Sequence, residues 1–340
     1  MRILLVRIGA IGDMLIVTPL IRHMKQQGHE VYVLTKKIGL EVLAHNPNVD
    51  QLILHDDAVP NRSLGEYFDF VGKENGCDKV IDLCESIESV LSLNPDDPAY
   101  NYPKYERAAQ CNRNYYEFTF EKAGFDWKGV DLRPEYFTIK DEEVENRSLR
   151  VNHLGKLFIV WALAGSSINK TYPYVGQVIS NLLKRHDDLV FVTMGKESCQ
   201  ILEVNIPEHE RVLKMSSKWS LRQSLTMIKN CHVFIGPDTG TLHASGAWDL
   251  PKIGLLNSTT IENITKHFKN DFSIEAKVPC APCFRIINSP YAQCPIDNAT
   301  RAPICATDGL DPALLQSRIE DILANRYDKR ISFERILKTA

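Results

Sequence analysis

Apolar positions in this chain fall in short unbroken runs, separated by stretches where they recur every three or four residues. The first run covers residues 2–6. A glycine turn follows, then a helical stretch towards Gln27 that closes at Gly28. Further runs at 31–34, 51–54 and 79–83 predict strands, with helical segments between most of them. Strands alternating with helices at this spacing predict a parallel, doubly wound α/β sheet. From about residue 85 to 150 the rhythm is lost: 94–98 is a turn cluster, 114–123 a helix stopped by Gly124, and 141–149 a charged helix or linker. It restarts with runs at 157–163, 189–193, 233–235 and 253–256, with helical periodicity at 174–185 and 221–230. An amphipathic helix over 311–325 and a mixed-charge tail end the chain. The pattern therefore predicts two units, 1–152 and 153–325, and a tail over 326–340. Two such sheets face each other across a cleft at the carboxyl ends of their strands, where ligands bind in open α/β sheets.

Composition narrows the function. The 340 residues are 44% hydrophobic, enough for two ordinary cores. A net charge of -3 lacks the basic footprint of a nucleic-acid binder. The opening apolar run is interrupted by Arg7 and Asp13, so it reads neither as a secretory signal nor as a membrane helix. The expected location is the cytoplasm.

Three turns carry candidate chemistry. The first, Gly9-Ala10-Ile11-Gly12-Asp13, follows the first strand. It lacks the Gly-x-Gly-x-x-Gly dinucleotide fingerprint. Asp13 is either an acid stabilised at a helix N-terminus or a general base facing the cleft. The second, residues 165–173, offers Gly165, Ser166, Ser167 and Lys170, a set suited to phosphate oxygens and equally to a solvated polar loop. The third holds Gly236, Pro237, Asp238, Thr239, Gly240, Thr241 and His243. It predicts either an anion site at a helix start or a helix capped by Asp238 or Thr239.

The order of these turns resembles the ADP-heptose:lipopolysaccharide heptosyltransferases, glycosyltransferase family 9. The resemblance is clearest over residues 1–27 and 157–310, and the element from Asp238 to His243 is its most specific part. It implies a GT-B fold and inverting transfer with no metal or other cofactor in catalysis. It implies Asp13 as base and Lys170 on the donor phosphates. Gly12, Ser166, Ser167, Asp238, Thr239, Gly240, Thr241 and His243 would hold an ADP-sugar donor, with heptose as the expected sugar. The acceptor would be a glycan, a glycolipid of the lipopolysaccharide type or a protein; a lipid-linked one would bring the enzyme to the inner membrane as a peripheral protein. Tyr172 replaces the family's usual Trp before Pro, Asn257-Ser258-Thr259 replaces Gly-Pro-Thr, and residues 85–150 differ from the core-heptose enzymes. A non-catalytic nucleotide-sugar-binding protein on the same fold is the alternative.

Nine cysteines remain to be explained. Five are scattered, as small buried apolar residues would be. Cys280, Cys283, Cys294 and Cys305 lie close together, beginning with a C-x-x-C pair. Four thiolates can close a structural zinc or iron site. Disulfides and free thiols are the competing states, and a protein centred on a metal is a further alternative function. The cluster is expected to lie away from the chemistry.

Overall fold

The structure is a computed structural model and describes residues 1–287, 294 and 303–326. Residues 327–340 of the expected tail lie outside the described residues. Two all-parallel sheets are present. The first orders its strands β3 (Gln51–Leu54), β2 (Glu30–Thr35), β1 (Arg2–Val6), β4 (Lys79–Asp82). The second orders them β10 (Ile274–Glu275), β9 (Lys252–Leu256), β8 (Val233–Pro237), β5 (Leu157–Ala162), β6 (Leu189–Met194), β7 (Val212–Lys214). The register of the central pair runs Leu157 against Leu189 through Ala162 against Met194.

Every residue of β5, β6, β8 and β9 is buried. A parallel sheet covered by helices on both faces needs such continuous apolar runs, which is why these strands are legible in sequence. β7 and β10 are short edge strands that the apolar pattern did not predict. The long helix expected after β1 divides into Ile11–Ile16 and Thr18–Gln26, with Pro19 in the first turn of the second. Proline has no N–H to give and is tolerated there.

The irregular stretch between β4 and β5 holds three α-helices, Lys104–Cys111, Tyr115–Ala123 and Lys140–Val151, joined by loops. It is stitched to the second sheet's unit. Asn114 caps its helix by accepting from the Tyr116 and Glu117 N–H groups, and its amide donates to the Glu262 and Asn263 carbonyls. Asn263 donates back to the Cys111 and Arg113 carbonyls at 2.8 and 2.9 Å. Glu142 pairs with Arg222, and Glu143 with Lys229 at 2.6 Å. The charged helix, expected as a helix or linker, therefore also contacts the second sheet's unit through these ion pairs.

In each sheet the strand order reverses beside the first strand of its unit: between β1 and β4, and between β5 and β8. The three glycine-bearing turns follow β1, β5 and β8, at these switch points. Among the described residues, no helix is long and apolar enough to cross a membrane.

Candidate active site

The turns after β1 and β8 touch. A Cβ on Gly240 would come within 2.5 Å of Ile11 Cβ and 3.0 Å of the Gly12 nitrogen, so only glycine permits this approach. The starts of helices Ile11–Ile16 and Gly240–Ser245 are thereby held face to face.

Asp13 lies in the first turn of its helix. Its Oδ2 accepts from the Ala10 N–H at 2.6 Å, and its Oδ1 pairs with Arg7 Nη2 at 2.5 Å. The contact expected of an acid in the first turn of a helix is present. Arg7 is fully buried; its Nη1 donates to the Leu83 carbonyl at 2.7 Å, and Nη2 also reaches Glu88 at 3.0 Å. Burial works against the guanidinium charge, but Asp13 and Glu88 more than offset it and raise its pKa. Burial, with the charge of Asp13, pushes the Glu88 carboxyl up. Two carboxylates thus share one guanidinium nitrogen.

Across the contact, Asp238 at the end of β8 accepts on Oδ2 from Lys170 Nζ at 3.2 Å and from Thr259 Oγ1 at 3.3 Å. Burial alone would raise its carboxyl; Lys170 and these hydrogen bonds outweigh burial and hold it below the usual range. Lys170 reaches it from the short turn Ile168–Lys170 after β5. Gly165 makes room, since a Cβ there would strike the Lys170 side chain and the Thr239 methyl at 2.7 Å. Ser167 is buried and donates to Asn169 Oδ1 at 2.6 Å, whereas Ser166 is exposed. Thr239 sits at the helix cap, yet its hydroxyl makes no capping bond and instead meets the Pro237 carbonyl and Thr241 Oγ1. His243 is buried between the two turns: Nε2 lies 3.8 Å from Asp238 Oδ1, and Nδ1 lies 2.7 Å from the Tyr116 hydroxyl.

The departures from the family pattern acquire roles here. Thr259 holds Asp238. Asn257 donates to the Asn169 carbonyl beside Lys170. Tyr172 stacks on Trp161 with ring planes 15° apart and donates to the Leu310 carbonyl. The sequence reading missed Arg7, Glu88 and Tyr116. Arg7 left a trace: a charge directly continuing a buried strand, six residues before a candidate base.

Cys280, Cys283, Cys294 and Cys305 line one cavity, and all are free thiols. Burial pushes the first two and Cys305 up, the last to about 12, with neighbouring thiols adding to the effect. Among the described residues, no group of three His, Cys, Asp or Glu side chains is disposed to hold a metal. The cavity is also lined by Asn169 and Asn257, next to Lys170.

Two facing parallel sheets with a carboxylate and a cation–hydroxyl cluster across the cleft define a GT-B glycosyltransferase. A family model described as glycosyltransferase family 9 (heptosyltransferase) matches residues 99–291, and the chain belongs to that family. Solved structures agree on the fold. The glycosyl transferase family 9 protein from Veillonella parvula DSM 2008 is 13% identical with a TM-score of 0.68, covering 95% of this chain and 97% of that one. E. coli ADP-heptose lps heptosyltransferase II is 14% identical with a TM-score of 0.64, over 95% and 99% of the two chains. The iron-containing dodecameric glycosyltransferase TibC from enterotoxigenic E. coli H10407 is 12% identical with a TM-score of 0.60, over 96% and 77%. No curated protein sequence matches the chain.

Proposed function

We propose that this glycosyltransferase moves heptose from ADP-heptose to a glycan, glycolipid or protein acceptor, with inversion and without a catalytic metal. Residues 1–152 form the acceptor side and 153–325 bind the donor. The observation that carries this reading is the approach of the Asp13 turn to the Lys170–Asp238 cluster around His243. The acceptor hydroxyl attacks the anomeric carbon from the face opposite the diphosphate and loses its proton to Asp13, whose oxygens keep free lone pairs beside Arg7 and Ala10. The sugar–phosphate bond breaks, and Lys170 with the N–H and hydroxyl groups of Thr239 to Thr241 stabilises the charge on the departing ADP. Gly12, Ser166 and Ser167 complete the donor surface. The enzyme works in the cytoplasm, at the inner membrane when its acceptor is lipid-linked. Calorimetry with ADP, UDP and GDP tests the donor: ADP is expected to bind tightest, and a preference for UDP would sink the assignment while leaving transfer intact.

The cysteine cluster is proposed as a structural zinc or iron site. In support, four thiols share one cavity, and Arg107 and Arg285 approach it, both hydrogen-bonded to backbone carbonyls. Cations nearby favour a tetrathiolate, whose net charge is negative. A bound ion keeps its thiols deprotonated, and here the four would have to draw together around it. Elemental analysis of protein prepared without affinity-resin metals is expected to find close to one equivalent of zinc or iron. Substoichiometric metal with four titratable thiols would exclude the site.

A further inference from the structure

His243 lies where both halves of the site meet, and its protonation decides what it offers there. Gly12 packs against the ring: a Cβ on Gly12 would lie 3.2 Å from His243 Cδ2 and 3.7 Å from Nε2. Phe268 meets it edge-on with ring centroids 6.4 Å apart. Tyr116, from the helix Tyr115–Ala123, closes the remaining side, its ring centroid 5.8 Å away. That helix is anchored to the donor side by Asn114, so the Tyr116 hydroxyl is delivered to Nδ1 across the junction of the two units.

We infer that Tyr116 is a positioning residue that locks His243 as the neutral tautomer with its proton on Nε2. Two arguments fix the direction of the hydrogen bond. The Tyr116 hydroxyl is fully buried, and Nδ1 is its partner; with no other acceptor for it among the described residues, the hydroxyl proton goes to Nδ1. If Nδ1 carried the proton instead, the hydroxyl proton would be buried unsatisfied, at a cost of about 1–3 kcal/mol. On the opposite edge Nε2 faces Asp238 Oδ1 at 3.8 Å. An N–H dipole pointing at a carboxylate is attractive, whereas a lone pair there is repelled.

The charge state follows from the surroundings. Burial lowers the His243 pKa; Asp238 and Asp13 oppose this, and Lys170 assists it. Burial and the Asp238 charge push the Tyr116 phenol far up, so it remains a donor. His243 therefore presents a fixed N–H at the meeting of Gly12, Asp13, Asp238 and Lys170. This donor needs no reorientation when a ligand oxygen arrives. It also cannot compete with Asp13 for the acceptor's proton, because its basic nitrogen is already occupied by Tyr116. This last role rests on the proposed transfer reaction, but the tautomer does not.

Nitrogen-15 NMR of histidine-labelled, ligand-free protein tests the lock, with His243→Gln used to assign the signals. At about pH 7.5 the expected spectrum shows His243 neutral, with Nε2 protonated and Nδ1 unprotonated but hydrogen-bonded. Tyr116→Phe keeps the ring packing and removes the donor. Its His243 signals should shift towards a mixture of tautomers. A proton on Nδ1 in the native protein would overturn the inference, as would signals in Tyr116→Phe identical to the native ones. The native spectrum decides even where the variant folds poorly. ADP is added only after the tautomer is known. Its failure to bind would then count against the donor assignment and not against Tyr116.

Discussion

The turns after β1 and β8 share one construction: a buried strand, a glycine-bearing bend and a short helix with an aspartate at its start. Their carboxylates are nonetheless held differently. Asp13 is gripped by Arg7, a buried guanidinium immediately after its own strand that is also tied to the Leu83 carbonyl. Asp238 is held by Lys170, at the end of a flexible side chain from another turn. The difference concerns what a ligand can rearrange. A diphosphate carries more charge than one carboxylate and can draw Lys170 away from Asp238. Nothing comparable can draw out Arg7, so Asp13 keeps one orientation throughout. A fixed base and a redirectable cation are what the proposed transfer requires.

The sharpest way to break this comparison is Asp13→Asn. Losing the proposed base should lower transfer about 10²–10⁴-fold. ADP binding by calorimetry should stay close to native, and near-native turnover would require another base. Arg7→Met attacks the anchor. It leaves Asp13 and Glu88 facing each other without their shared cation. Unfolding in urea should show a loss of about 2–3 kcal/mol, below the value for a fully enclosed pair because Glu88 reaches water.

Lys170→Ala separates the two sides further. Removing one charge-assisted hydrogen bond of roughly 1.5 kcal/mol or more should weaken ADP binding about tenfold. Unchanged ADP affinity would show that Lys170 stays with Asp238 when the site fills. The smallest effect concerns acid. Asp238 has a depressed carboxyl in the folded state. Its contribution to stability is complete above the ordinary carboxyl value and is lost as pH falls through the lower folded value. Lys170→Met should remove part of this dependence, so its urea midpoint should fall less than the native one on going from about pH 5 to pH 2.5. Parallel curves would show that Lys170 does not depress Asp238.

Legibility along the chain follows a physical pattern. β5, β6, β8 and β9 are buried at every position and read directly from their apolar runs. The glycine turns that follow β1, β5 and β8 were equally visible, because backbone geometry restricts which residues can stand there. β7 and β10 are three and two residues long and sit at sheet edges, too short to impose a period. The helix Lys104–Cys111 buries only Arg107 and Cys111, so few apolar positions mark it in the sequence.

What the sequence by itself determined is therefore local: alternating strands and helices, the two units, and the turns that supply Asp13, Lys170 and Asp238. Each of these is specified by residues within one or two turns of chain. What only the tertiary structure decided is which groups meet. Tyr116 reaches His243 across 127 positions, Lys170 reaches Asp238 across 68, and Arg7 is shared between Asp13 and a glutamate 81 positions away. Such pairings depend on how the sheets and their connecting helices pack together, and the burial they produce sets the charge of each group. No local pattern of apolar and polar residues encodes that packing, because the energy that selects it comes from surfaces distant in sequence.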